Sequence, residues 1–318
     1  MPRKSTMQPF EAGDILIGCT LLNDPDDDHA GEGRILQYDR DFQLKGELWT
    51  EGGRHLVGGL AFDRNGLLWA FNDHAVIHVD PDTGRQLPLA KFPPRLFYST
   101  GFARDGSVYL GEHSNAKDPP QGIDKFTTIK MLRTPDTGVL GYGNIYKFNV
   151  DWEIEKEFDV ENAPEFLGFK GVTHMSLHPS EQFVAYTTET TGRILRYDVI
   201  NDRQMPDLFT CLGEGFPKGD YVAALNYLPD GRLLATHGKA MIMLDEAGEL
   251  LREYPFEGSG WSAIAPCRDG EHALLSNIWL GIIIKMHLES GEIVATLETE
   301  FKAPKRCLAG VAEYSGKA

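Results

Sequence analysis

His174 is the residue whose type is most out of keeping with its position. Aligned by the turns of the chain, it occupies a slot where the equivalent residues are Gly59, Ala224, Ala263 and Gly310. An imidazole at such a slot can serve as general acid or base, with Glu189 or Glu112 tuning it and Arg95 or Arg306 stabilising a developing anion. His55 is a further catalytic candidate beside His174 and Glu189. Arg95, Tyr98, Glu112, His113, Tyr221, Trp261 and Arg306 are candidates for substrate binding, because they fall at or near strand ends where side chains reach one opening. His174, His237 and Asp220 form a candidate donor set for one divalent metal ion, a mixture that suits a borderline ion better than calcium.

What must position these residues is a unit of roughly 40 residues that recurs to the end of the chain, the mark of a radial array. Its clearest copy runs from Gly58 to Gln86: strand, Asn65-Gly66 turn, two further strands, a Pro81-Asp82-Thr83-Gly84 turn and a fourth strand. Asn65-Gly66 is expected to supply the positive-φ residues of a two-residue hairpin. Other copies align on Phe102 to Tyr109, Leu177 to Val184, Tyr227 to Leu234 and Pro266 to Ala273. A third strand ending in a polar, mostly acidic turn recurs at Ile35 to Asp39, Ile77 to Asp80, Ile145 to Asn149, Ile194 to Asp198, Met241 to Asp245 and Ile282 to Glu289. Six third strands but five complete first hairpins leave one sheet to be assembled from both ends of the chain. Cys307 to Tyr314 reads as its innermost strand and Asp14 to Cys19 as its second, a pairing that hides both edges. The expectation is an all-β fold: one six-bladed β-propeller over residues 1–318, four antiparallel strands per blade, with the ring closed by the terminal strands.

Composition fits a core of this kind and narrows the partners. The chain has 318 residues, a hydrophobic fraction of 42% and a formal charge of −16. That charge argues against nucleic acid and against an anionic membrane surface, since phosphate binding needs a basic stripe. The longest apolar run, Ile278 to Ile284, is too short to span a bilayer, and no apolar run follows the basic start, so no secretion signal is read. Cys19, Cys211, Cys267 and Cys307 show no close pairs, as expected of free thiols in a reducing cytoplasm.

The connections are lopsided. First-to-second and third-to-fourth turns are short, whereas the other connections include Leu21 to Gly33, Ser114 to Tyr142, Asp159 to Lys170 and Cys211 to Asp220. Loops of that length in a compact domain are usually functional or disordered, and in a propeller these would gather at one mouth. Ser114 to Tyr142, the insertion at 114–142, is a candidate lid. Polar residues at the ends of second strands (Asn72-Asp73, Glu112-His113, Glu189, His237 and Asn277) form a second ring there. The aromatics Phe97, Tyr98, Phe166, Phe169, Phe216, Tyr221 and Trp261 supply an apolar wall of the sort that lines small-molecule sites. Small residues at the inner slots leave room for a ligand, or else meet the packing needs of neighbouring blades. The acidic loop Asp24 to His29 lacks the Gly and the distal Glu of a calcium-binding loop, and reads as solvated. Nucleophile-elbow, phosphate-loop and zincin motifs are absent.

The blade pattern, size and terminal closure resemble the six-bladed superfamily of gluconolactonases and regucalcin, diisopropylfluorophosphatase-like hydrolases and strictosidine-synthase-like proteins. That resemblance implies a divalent ion, usually calcium, polarising a lactone or phosphoryl oxygen. The family draws its ligands from inner-strand entries, which here read Leu308-Ala-Gly-Val311, Tyr98-Ser-Thr-Gly101, Val172-Thr-His-Met175 and Asp220-Tyr-Val-Ala223, with Asp220 the one carboxylate. The expected function is a small-molecule enzyme of hydrolase (lactonase- or esterase-like) or lyase type acting on an apolar or aromatic substrate. An interaction scaffold or a ligand-binding propeller is the alternative.

Overall fold

The computed structural model describes residues 3–23, 31–53, 57–113, 141–162, 171–188, 191–211, 221–301 and 308–317. The regular structure among them is entirely β. The first sheet holds β1 (Ile15–Leu22), β2 (Gly31–Tyr38) and β3 (Leu44–Trp49); the second holds β4 (Val57–Phe62), β5 (Leu68–Asn72), β6 (Ala75–Asp80) and β7 (Arg85–Gln86). The third is β8 (Phe97–Phe102), β9 (Val108–Glu112), β10 (Ile145–Phe148) and β11 (Ile154–Phe158), and the fourth β12 (His174–Leu177), β13 (Phe183–Thr187), β14 (Arg193–Asp198) and β15 (Arg203–Thr210). The fifth is β16 (Val222–Tyr227), β17 (Leu233–His237), β18 (Ala240–Leu244) and β19 (Leu250–Pro255), and the sixth β20 (Trp261–Pro266), β21 (His272–Asn277), β22 (Ile282–His287) and β23 (Ile293–Glu298). The last strand, β24 (Val311–Glu313), joins the first sheet beside β1. Six four-stranded meanders in chain order, one completed by the carboxy-terminal strand, make a six-bladed β-propeller.

The terminal pairing is as the sequence leads one to expect. Ile15, Leu16 and Ile17 stand opposite Glu313, Ala312 and Val311. Backbone bonds from Gly18 to Gly310 and from Tyr314 to Asp14 extend the pairing at both ends. The small inner residue Gly310 is explained by packing: a Cβ there would lie 2.2 Å from the Gly58 carbonyl oxygen. Room for a ligand is not what that glycine provides.

The turns differ from the expected two-residue type. Gly66 has φ of 77°, but Asn65 is not in the positive-φ region. Asp63 organises the loop, its Oδ1 accepting from the Asn65 and Leu67 amides while its own N–H reaches the Leu67 carbonyl. The acidic ends of third strands do the same work. Asp39, Asn149 and Asp245 each accept two amide hydrogens from residues two and four further on. A short side-chain oxygen that can mimic a backbone turn is why Asp and Asn recur there.

The chain divides into two compact units; the described residues of Met1–Pro94 and Ala265–Ala318 form one, those of Arg95–Thr127 and Met131–Ile264 the other. In the first, Leu16, Ile35, Leu48, Val57, Leu68 and Ile77 pack between two sheets, joined by Met7 and Phe10 from the segment before β1. That segment lies along the outer edge of β3. Thr6 and Met7 amides donate to the Glu47 carbonyl, and the Trp49 amide donates to Ser5 Oγ. Phe10 meets the rings of Phe62 and Tyr314 edge-on, at 5.9 and 5.4 Å. In the second unit, Tyr109, Phe158, Val172, Met175 and Tyr186 fill one space between sheets, and Ile194, Val222, Leu225 and Leu233 another.

Gly46 is what lets the amino-terminal segment lie so close, since a Cβ there would meet the Thr6 carbonyl oxygen at 2.4 Å. Gly46→Ala is therefore expected to destabilise the protein by about 1–3 kcal/mol, the usual cost of overpacking. It should also speed tryptic cleavage after Lys4. Unchanged urea unfolding and cleavage rates would show that the segment contributes nothing to the fold.

Candidate functional site

His55, Glu189, Asp220 and Arg306 lie outside the described residues, as do 114–140, the acidic loop 24–30, Phe166, Phe169, Phe216 and Cys307. The remaining candidates, Arg95, Tyr98, Glu112, His113, His174, Tyr221, His237 and Trp261, all belong to the second unit. Register explains why they share one end of their sheets. Phe97 stands opposite Glu112, His174 opposite Thr187 and Val222 opposite His237, so first strands begin where second strands end. Counting from the closing pairs Phe102 with Val108 and Leu177 with Val184, the residue equivalent to Glu112 is Thr188. The ring at second-strand ends therefore has a threonine in the fourth sheet, one position before Glu189.

His174 is placed by the chain that enters β12. The Val172 amide donates to the Glu112 carbonyl, and Gly171, with φ of 125°, passes so near that a Cβ would lie 2.6 Å from the His113 carbonyl oxygen. This brings β12 against the end of β9. Tyr98 is the extra residue of a bulge between Phe97 and Ser99, and a bulge re-aims its side chain. Its ring stacks on His113 at 4.9 Å and meets His174 edge-on at 6.5 Å. Three of the expected residues thus form one cluster.

The His174 ring hydrogen-bonds the backbone carbonyl of Leu225, and its Nδ1 is buried without a partner among the described residues. The donor is then Nε2, and Nδ1 keeps a lone pair. Burial pushes the pKa down to about 4, only partly offset by the Leu225 carbonyl. At neutral pH the ring is neutral. A buried acceptor with no protein partner calls for a ligand group or a water. Thr100 Oγ1 on β8 and Ser262 Oγ on β20 are buried and unpartnered in the same way.

Ser176 and Asn226 on the inner strands, and Thr187 at the end of β13, are by contrast fully employed. Ser176 Oγ bonds Asn226 Oδ1 and receives the Tyr227 amide, and Asn226 Nδ2 reaches on to the Ile264 carbonyl. Thr187 Oγ1 donates to the Val222 carbonyl. His174 belongs to this series through its Nε2 and departs from it through its Nδ1.

Glu112 proves to be an anchor. Its side chain has no exposure; Oε2 accepts from the Tyr142 and Gly143 amides at 3.0 and 3.1 Å and from the Tyr146 hydroxyl at 3.0 Å. Arg95 Nη1 lies 3.5 Å from the carboxylate, and the guanidinium sits 4.5 Å from the centre of the Tyr142 ring. The Tyr146 hydroxyl is also 3.0 Å from Glu157 Oε1, which accepts from Asn144 Nδ2. One hydroxyl proton serves two carboxylates. Desolvation raises the Glu112 pKa, against the pull of Arg95 and the three donors, and burial raises that of Tyr146. Tyr142, Tyr146 and Glu157 were not among the expected residues. Glu157 directly faces Tyr146 across β10 and β11, a cross-strand pairing legible only once the register is known.

The remaining candidates are Trp261, Tyr221 and His237. The Trp261 ring packs on Phe256 at 4.6 Å, and its indole N–H is buried without a partner among the described residues. Tyr221 and His237 flank a single backbone bond, from the Gly238 amide to the Tyr221 carbonyl. Among the described residues no three His, Cys, Asp or Glu side chains converge as metal ligands. Asp220 of the expected donor set lies outside those residues, and no metal ion enters the reading that follows. Cys19, Cys211 and Cys267 are buried and form no disulfide among the described residues, and no helix among those residues is long and apolar enough to cross a membrane. A cleft of about 780 Å³ in the first unit, beside the amino-terminal segment and lined by Trp49, Arg85 and Leu87, contains none of the expected residues.

No protein-family model matches the chain, nor does any curated protein. Among solved structures it is similar to a chain of the nidogen/laminin complex, with 10% identity, a TM-score of 0.59, and coverage of 96% of this chain and 100% of that one. It is similar also to a protein of unknown function from Bacteroides caccae, with 13% identity, a TM-score of 0.59, and coverage of 96% and 99%. Likeness at such identities extends to the fold alone.

The environment of Glu112 sets a pH dependence. With its pKa raised on folding, the folded chain holds this proton to higher pH than the unfolded chain does. Stability from Glu112 is then greatest below the ordinary carboxylate range and is lost as pH rises through the folded value. In urea titrations from acid to neutral pH, the stability of wild type relative to Glu112→Gln should decline by at most about 1.4 kcal/mol per pH unit and then level off. A relative stability that climbs with pH would mean that Arg95 and the three donors outweigh desolvation.

Proposed function

We propose that the second unit binds a small, flat, partly apolar molecule carrying an N–H or O–H donor, at the inner-strand entries where Tyr98, His113 and His174 meet. The observation that carries this reading is His174 Nδ1, an acceptor held in place by the Leu225 bond on the other side of the ring and left without a partner. Stacked and edge-on rings beside it supply an apolar wall with one fixed polar contact, the usual make-up of a small-molecule site. The formal charge of −16 favours a neutral or cationic ligand.

The lowered basicity decides between two roles for the ring. A general base is most effective with a pKa near the working pH, and a value of about 4 falls well below that. As an acceptor the ring is ready at any pH above this value. Binding is therefore the first reading. Hydrolysis or elimination is the second, supported by the same lone pair, which takes a proton if charge develops on a bound substrate. An interaction scaffold would leave Nδ1 without purpose.

Indole and N-methylindole, alike in shape and differing in one donor, separate these readings. Indole is expected to stabilise the protein in thermal unfolding and to bind about tenfold more tightly than N-methylindole, as one well-placed hydrogen bond allows. His174→Gln keeps an amide N–H that can donate to Leu225 but has its acceptor oxygen away from the Nδ1 position, so it should abolish that preference without unfolding the protein. Equal binding of both compounds by wild type, or an unchanged preference in the variant, would refute the site. Phenyl acetate hydrolysis that is flat above pH 5 and lost in His174→Gln would establish the second reading.

A further inference from the structure

Among the described residues no further strand pairs with the outermost strand of any blade, and five of the six edges are guarded. The amino-terminal segment covers β3. β7 has only two residues. Charges fill the middle of β11, Glu155-Lys156-Glu157, while Pro206 interrupts β15, and Arg252, Glu253 and Pro255 guard β19. Short length, charge and proline are the ordinary means of blunting an edge. β23 carries a charge only at its last residue, Glu298: Ile293-Val294-Ala295-Thr296-Leu297 is uncharged, with Ile293 and Val294 each 47% exposed.

The covered edge shows what the open one lacks. Thr50 and Thr299 make equivalent backbone bonds, to Gly33 and Gly281, so Glu47 corresponds to Thr296 and Trp49 to Glu298. The bulges at the start of both strands agree with this alignment, with Leu44 matching Ile293. Glu47 and Trp49 turn their polar backbone outward to the amino-terminal segment. Thr296 and Glu298 therefore present the same outward groups, and both residues are exposed.

We infer that β23 receives an extended strand from a partner protein, one with an uncharged middle and with Lys or Arg at its ends. Charge selects that partner. Glu292 and Glu298 bracket the apolar run and Glu300 lies just beyond, 77% exposed with Arg34 3.8 Å away. A second copy of β23 is disfavoured: two-fold pairing centred on Ala295 sets Glu292 against Glu298, and pairing centred on Thr296 sets Glu292 against Glu300. The amino-terminal segment of another copy is disfavoured too. Docked as on β3 it would collide with the Ala295 side chain, where Gly46 leaves only 2.4 Å for a Cβ. Main-chain bonds along the edge would supply affinity, and the flanking carboxylates would supply selection.

The test uses the full chain and the labelled peptide Lys-Lys-Thr-Val-Thr-Val-Thr-Lys-Lys. Fluorescence anisotropy at low salt should show saturable binding, and amide exchange at Thr296 and Glu298 should slow on addition of the peptide. Thr296→Pro should weaken binding by about tenfold, the loss expected from one or two edge hydrogen bonds. Glu298→Lys, which leaves the backbone intact, should also weaken it, and a peptide with Glu in place of every Lys should bind at least as poorly. Absence of binding, equal affinity for both peptides, or protection of amides elsewhere would overturn the inference. So would a concentration-dependent dimer abolished by Thr296→Pro, which would assign the edge to a second copy.

Discussion

Side-chain hydrogen bonds from one sheet to the inner-strand backbone of the next hold the second unit together where strand pairing stops. A four-stranded blade has no neighbour to satisfy its inner edge, and buried backbone groups left unpaired are costly. His174, Ser176, Asn226 and Thr187 answer that constraint, reaching Leu225, Tyr227, Ile264 and Val222 in turn. His174 alone in that series retains a buried polar atom after its structural bond is made. The histidine is fixed by the fold, and what remains of it is available for a ligand.

The same economy governs the neighbouring carboxylate. Glu112 looks from its position like a group for substrate, yet it is wholly enclosed and occupied by Tyr142, Gly143 and Tyr146, with Arg95 beside it. Residues from before position 114 and after position 140 meet at this one side chain. Its effect on any ligand is therefore indirect, through the placement of His113, whose amide bonds Leu96 and whose ring carries Tyr98.

Much of the architecture was legible because turns are local. Asp, Asn and Gly recur where a side chain must imitate a turn or a backbone must adopt positive φ, and these marks set strand count, order and terminal closure. Finer features depended on residues far apart in the chain. The Asn65-Gly66 hairpin was misjudged because Asp63, two residues earlier, fixes the turn through its carboxylate. Thr188 in place of Glu189 follows from a register that periodicity does not fix to one residue. The amino-terminal segment gave no strand signal, since its bonds go to β3 and its apolar residues, Met7 and Phe10, are buried only by sheets formed later in the chain. Of the candidate site, Tyr98, His113 and His174 were both anticipated and brought together, whereas the partners of Glu112 were invisible without the pairing of β9, β10 and β11.

The tautomer and basicity of His174 test this account most directly. Nitrogen-15 NMR of the histidine side chains across a pH titration should show His174 neutral, protonated at Nε2 and bare at Nδ1, until the pH falls to about 4. A ring that titrates near the ordinary value of 6.5, or that carries its proton on Nδ1, would contradict it.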